Sequence, residues 1–458
     1  MKNLKNWIYV GLFLGMACAP IDDNPQIIQE PDPEPGFIVN EHNLNVVYFV
    51  PNDNPEVPGY RERLHDMLVY FQEFVGDEMD RNGFGYKSFG LAWDTLDNQN
   101  RVDIITIQGE HDQATYDYGS GSAILGEIAA YKNAHPDRFS SQHMLILLPQ
   151  RTDGGSQPFY GLGRNCFAVD NPNIKVSEIP TTTSNLIGGM IHELGHGLGL
   201  PHNKGTRSER QEFGTSLMGA GNTTFGRSPT FISKAECAIL NRNQIFESES
   251  IPDIYGGATT TVTPSVSYDG SSNTLTLTAE FTSNKTLSDV LVWLDPNVDN
   301  EGVGANRDYN SVAWYVGNPG GNQFSTSFEF GEIEDHGDWP YEMRVRLLME
   351  NGTINTHSYS FKFNNGNFET DSGVMVYQHS NYNGWGVELS PGSYTTADLV
   401  ALGVTDNDIS SIKVPLGLKA TLYAGDDFTG QAFDAGAGNI WFLSSFNDMT
   451  SSIVVSEQ

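Results

Sequence analysis

The chain has 458 residues, too many for one ordinary domain, and 57 acidic against 25 basic residues give a formal charge of −32. This surplus argues against nucleic acid as a partner and against electrostatic docking on anionic lipid, since both are negatively charged. It suits an exported protein, and such a surface is also compatible with calcium binding.

At the N-terminus, Lys2 and Lys5 precede an apolar run over 7–17. That run is too short to span a bilayer as a mature helix and has the form of an export signal. Leu14-Gly15-Met16-Ala17-Cys18 resembles a bacterial lipobox, although Gly15 stands where an aliphatic residue is usual. The resemblance implies a signal over 1–18 and a lipid on Cys18, which would be the one tie to a membrane, at the cell surface or outer membrane. The alternative is cleavage after Ala19 at Ala17-Cys18-Ala19, which would release a secreted protein. Pro20, Pro25, Pro31, Pro33 and Pro35 make 19–36 an extended tether.

From 37 to 250, strand and helix signals alternate. Asn45–Val50 is an apolar strand, and 60–79 has helical spacing with Leu64, Met67, Leu68, Phe71 and Phe74 on one face. Strands are predicted over 102–107 and 144–148, with a helix over 123–132 between them. Ser184 caps a helix that runs through Leu186, Ile187 and Met190, and Ser233-Lys234-Ala235-Glu236 is a capping box opening a later one.

The helix after Ser184 leads into 192–202, which reads His-Glu-Leu-Gly-His-Gly-Leu-Gly-Leu-Pro-His. One helical turn separates His192 from His196, so both imidazoles leave one face and can share a metal ion. Glu193 lies beside them, where a carboxylate can take a proton from an activated water. Gly199 permits a left-handed turn that brings His202 back as a third nitrogen. Three imidazoles and an open position describe a catalytic zinc site rather than a closed structural one.

This run, H-E-x-x-H-x-x-G-x-x-H, resembles the metzincin clan of zinc endopeptidases, and Ser216-Leu217-Met218-Gly219 fits the methionine turn that follows in that clan. The resemblance implies an α/β (α+β) catalytic domain over 37–250, zinc on His192, His196 and His202, Glu193 as general base, Met218 as the floor of the site, and a protein or peptide substrate. Some members place a tyrosine two residues after the methionine. Here Ala220 stands there.

Over 251–370 the helical signal vanishes. Leu275-Leu277-Ala279-Phe281, Val312-Trp314-Val316 and Tyr359-Phe361-Phe363 alternate, and 290–294 is continuously apolar. About seven short strands at this spacing suggest an immunoglobulin-like sandwich serving as a spacer or packing module.

The segment 374–458 repeats itself. Tyr377-x-x-x-x-Tyr382-x-Gly384 recurs as Tyr423-x-x-x-x-Phe428-x-Gly430, and Asp406-Asn407-Asp408-Ile409-Ser410-Ser411 recurs as Asn447-Asp448-Met449-Thr450-Ser451-Ser452. The pair resembles the two Greek keys of a βγ-crystallin domain with both calcium signatures filled. The resemblance implies calcium held by Ser410 and Ser451 side chains, with backbone, acidic or amide oxygens of Asp406, Asn407, Asp408, Asn447, Asp448 and Met449 around them. Calcium favours hard oxygen donors of these kinds.

Cys166 and Cys237 can form one disulfide in an exported protein or remain two buried thiols. The whole chain reads as a zinc endopeptidase of extracellular proteins with two all-β domains. The alternative is a non-catalytic, calcium-dependent surface adhesin or glycan- or matrix-binding protein.

Overall fold

The computed structural model describes residues 38–96, 99–179, 185–298, 308–334 and 336–458. The export signal, Cys18, the tether over 19–36 and the cap Ser184 lie outside these residues. Among the described residues, no helix is long and apolar enough to cross a membrane.

The first part runs in the order β1 (Asn45–Val50), α1 (Tyr60–Arg81), a hairpin of β2 (Trp93–Leu96) and β3 (Gln99–Val102), β4 (Ile104–Gln108), α2 (Gly121–Ala134), β5 (Met144–Pro149), β6 (Gly161–Leu162), β7 (Asn165–Asp170), α3 (Asn185–Gly197), α4 (Arg207–Phe213), the short pair β8 (Thr215–Ser216) and β9 (Thr230–Phe231), and α5 (Lys234–Asn241). Its main sheet has the order β4-β1-β5-β7-β6, parallel except for the edge strand β6. Both faces are covered, which explains why β5, and β1 from Val46 onward, are apolar. Val46, Tyr48, Leu145 and Leu147 face a core shared with α1 and α3, whereas Val47, Phe49, Ile146 and Leu148 face α2 through Ile124 and Ile128. The strand expected over 102–107 is divided at Asp103, whose N–H bonds to Ala92 O at 2.8 Å, so β3 and β4 serve different sheets.

Of the two readings open for Cys166 and Cys237, a disulfide or two buried thiols, the structure has the second: both are buried free thiols. Cys166 lies in β7 beneath α3, where a Cβ on Gly197 would come within 3.0 Å of its Sγ. Cys237 lies on α5 and takes an N–H from Asn82 at 3.3 Å. Each sulfur is thus packed among its own neighbours, and burial pushes both thiols well above their ordinary range.

The second part is an antiparallel sandwich. One sheet joins β10 (Thr260–Asp269), β11 (Thr274–Ser283) and β14 (Gln323–Glu329); the other has the order β13 (Val312–Gly317), β12 (Leu287–Pro296), β15 (Pro340–Met349), β16 (Ile354–Asn364) and β17 (Asn367–Glu369). The continuous apolar run in β12 has a cause in its two burials. Val290, Val292 and Leu294 point into the sandwich, while Leu291 and Trp293 belong to the core of the preceding α/β part, together with Ala313 and Leu348. The sandwich is therefore welded to the first part rather than strung after it.

The third part has two four-stranded sheets, β19-β18-β21-β24 and β20-β25-β22-β23. These are built from β18 (Val374–His379), β19 (Asn383–Leu389), β20 (Gly392–Tyr394), a helix α6 (Thr396–Ala401), β21 (Ser411–Val414), β22 (Leu418–Gly425), β23 (Thr429–Ala435), β24 (Gly438–Ile440) and β25 (Ser452–Glu457). Each repeat lends one short strand to the other's sheet, the exchange that defines paired Greek keys.

Candidate active site

His192, Glu193 and His196 lie on α3, and Gly199, at φ 92°, lets the chain reverse so that His202 returns to them. Ligand nitrogens of the three histidines lie within 4.8 Å of one another. Nε2 of His196 and Nε2 of His202 are 3.2 Å apart. The opposite ring nitrogens are occupied: Nδ1 of His192 meets Leu217 O at 2.8 Å, and Nδ1 of His196 meets Leu200 O at 2.9 Å. A carbonyl can only accept, so Nδ1 carries the proton and Nε2 keeps its lone pair. Burial lowers His192 to about 4 and His196 to about 3, the latter helped by its neighbours His192 and His202. Uncharged, convergent imidazoles fit a divalent transition metal.

Met218 is fully buried, and its Sδ would lie 2.4 Å from a Cβ on Gly195, so the turn presses directly against the helix between His192 and His196. The same turn supplies the Leu217 carbonyl to His192. Ala220 is exposed and offers the site no functional side chain.

Burial raises Glu193 to about 7, and a backbone N–H from Gly161 partly opposes the rise. Gly161 begins the edge strand β6, and a Cβ there would stand 2.5 Å from Cβ of His196. Only a glycine lets this strand lie against the ligand helix. The glycine drew no attention in the sequence because it belongs to no motif.

The third histidine is held from the sandwich. The indole N–H of fully buried Trp293 donates to His202 O at 3.1 Å, and the ring of Tyr309 packs at a tilt against the His202 ring, 4.1 Å between centroids. Asn203, also fully buried, accepts from the Ala313 N–H at 3.1 Å and donates to Ser233 Oγ at 2.9 Å. Lys204 N donates to Ser311 O at 2.7 Å. The sequence suggested a spacer or packing module here, and the second of these is what the contacts to 202–204 describe. The both-faces-apolar run of β12 was the available signal for Trp293, whereas nothing local marked Tyr309.

In the C-terminal domain, the two segments read from the sequence as calcium signatures meet across the repeats. Ser410 Oγ donates to Asp448 Oδ1 at 3.2 Å, and Ser451 Oγ donates to Asn407 Oδ1 at 3.3 Å. Asn407 and Asp448 both take φ 54°, a left-handed backbone that Asn and Asp tolerate. Asp406 bonds Asn407, Asn447 bonds Asp448, and Asp408 receives Gln378 Nε2 at 3.0 Å. The Met449 side chain packs on the domain core, leaving only its main-chain oxygen for a cation.

No family model matches the chain. Wild-type OgpA from Akkermansia muciniphila is similar, at 34% identity and a TM-score of 0.65, over 71% of this chain and 95% of OgpA. A catalytically inactive OgpA in complex with an O-glycopeptide (glycodrosocin) substrate matches at 33% identity and 0.65 over 71% and 94%. Development-specific protein S of Myxococcus xanthus is 44% identical over 82 residues, covering 18% of this chain and 47% of that protein. The chain thus spans about half the length of the curated relatives it matches.

Proposed function

Because the chain belongs to the OgpA family, with a metzincin-like metalloprotease architecture followed by a βγ-crystallin domain, we propose that it is a zinc endopeptidase that cleaves glycosylated peptides outside the cell. The supporting observation is the convergence of the three histidine nitrogens with Glu193 on the same helix. The glycopeptide substrate rests on the complex formed by the OgpA relative.

His192, His196 and His202 would hold the zinc, with the Nδ1 protons of His192 and His196 kept on backbone carbonyls. When bound, zinc would supply a Lewis acid that acidifies water and polarises a peptide carbonyl. Glu193 takes the proton from the attacking water and returns it to the departing amine nitrogen. Burial of this carboxyl raises its affinity for a proton above that of an exposed glutamate, which suits a group that must both take and return one. The Gly161 N–H steadies the ionised form. Beyond it, the free edge of β6 offers main-chain groups with which an extended substrate can pair. The calcium signatures are assigned to stabilising the C-terminal domain, and Cys18 to anchoring the enzyme at the cell surface.

The test compares wild type with Glu193→Ala on one peptide sequence, with and without its O-glycan. Cleavage of the glycosylated form should fall at least about 10²-fold in the variant while zinc content is retained. Undiminished cleavage by the variant refutes the role of Glu193, and equal cleavage of the bare peptide refutes the glycan requirement.

A further inference from the structure

A cavity of about 640 Å³ lies between the sandwich and the C-terminal domain, a size typical of small-molecule sites. Its floor is the outer face of β15 and β16, and its roof is the first Greek key. The carboxylates on its walls are already spoken for: Arg344 pairs with Asp308, Glu342 and Asp295, and Lys362 pairs with Asp371. Lys413 differs. Among the described residues it has no carboxylate partner, and its ammonium stands 4.4 Å from the ring centre of Tyr382 and 5.9 Å from that of Tyr377.

The internal repeat supplies a control. By register, Tyr377, Tyr382 and Lys413 of the first key correspond to Tyr423, Phe428 and Val454 of the second. The second key has a phenyl ring and an isopropyl group where the first has a phenol and an ammonium. The Greek-key fold therefore requires neither polar head. They occur in the copy that roofs the cavity.

We propose that this cavity binds a neutral oligosaccharide. Tyrosine rings present an electron-rich face to the C–H side of a sugar ring. Lys413 has three donor protons uncommitted to any carboxylate, and sugar hydroxyl oxygens accept them. Among the described lining residues four carboxylates face three cations, so the walls give polar partners without the positive field that would select an anion. The site is a property of the joined domains, and it does not depend on the peptidase reading.

The full chain carrying Glu193→Ala, so that nothing is cleaved, is applied to a printed array of neutral and of sulfated or carboxylated oligosaccharides. The best neutral probe is then titrated calorimetrically. Tyr382→Phe with Lys413→Val gives the first key the residues of the second, so the fold tolerates them, and an unchanged melting temperature confirms this. Binding should weaken at least about tenfold in that double variant. Val454→Lys, the reverse change in the other key, should leave it unaltered. A silent neutral array, binding confined to the charged saccharides, or a double variant that binds like its parent overturns the proposal.

Discussion

Replacing Trp293 by Phe tests whether the sandwich is part of the metal site. The substitution keeps an aromatic ring beneath the Arg346 guanidinium, which lies 4.7 Å from the indole, but removes the N–H that donates to His202 O at 3.1 Å. A buried hydrogen bond contributes roughly 1 kcal/mol net, and leaving a buried acceptor unpaired costs about 1–3 kcal/mol. Not all of this falls on metal binding, because His202 is displaced in the metal-free protein too. Outer partners of metal ligands typically change affinity by about 10- to 100-fold. The expected result is zinc affinity weakened about tenfold, corresponding to about 1.4 kcal/mol. Competition against a chelator of known affinity measures it, and melting of the metal-free protein reports the separate cost to the fold. A zinc dissociation constant within about twofold of wild type would refute the reasoning and return the sandwich to the role of spacer.

Gly161→Ala should displace β6 from α3, because the added Cβ would meet Cβ of His196 at 2.5 Å; overpacking of this kind costs about 1–3 kcal/mol. Zinc affinity and peptidase rate should both fall, and unchanged values of both would show that the strand yields freely. His143, buried beneath the end of α3, bonds Gly197 O at 2.9 Å and Tyr255 Oη at 2.8 Å, and burial depresses it from 6.5 to about 4. Its contribution is complete above pH 6.5 and is lost as pH falls toward 4, because only the unfolded chain gains the proton over that window. At about 1.4 kcal/mol per unit this amounts to about 3 kcal/mol, so denaturant unfolding of His143→Gln should depend less on pH between 6.5 and 4 than wild type. An identical slope in the two proteins would remove His143 from the account. Calcium at about 100 times its dissociation constant should stabilise the C-terminal domain by about 2.7 kcal/mol. Joint Ser410→Ala and Ser451→Ala should abolish most of that gain, and a melting temperature that still rises equally with calcium would contradict the assignment.

The motif was legible because its chemistry is local. His192, His196 and His202 are set by one helix and one glycine, and a linear pattern records both. The paired Greek keys were legible for a different reason: a repeat displays its own template. What escaped was produced by contact between distant segments. Gly161 matters only because β6 lies against α3, a fact settled by the order β5-β7-β6 and by no residue near Gly161 itself. Tyr309 and Trp293 reach His202 across some hundred residues of chain. The 290–294 run did carry a hint, since alternate residues of a strand buried on both faces must serve two different cores. The two thiols show the converse. Composition permitted a bridge, and packing of each sulfur against its own helix or strand excluded it.

Support of His202 by Trp293 and Tyr309 also sets an order of events. The ribosome delivers the α/β part first, and at that moment the groups that steady the third imidazole have yet to be synthesised. A half-made chain therefore has two histidines in place on α3 and a third on an unsupported loop. On the proposed reading, the metal site gains its full support only when the sandwich packs over that loop, late in synthesis.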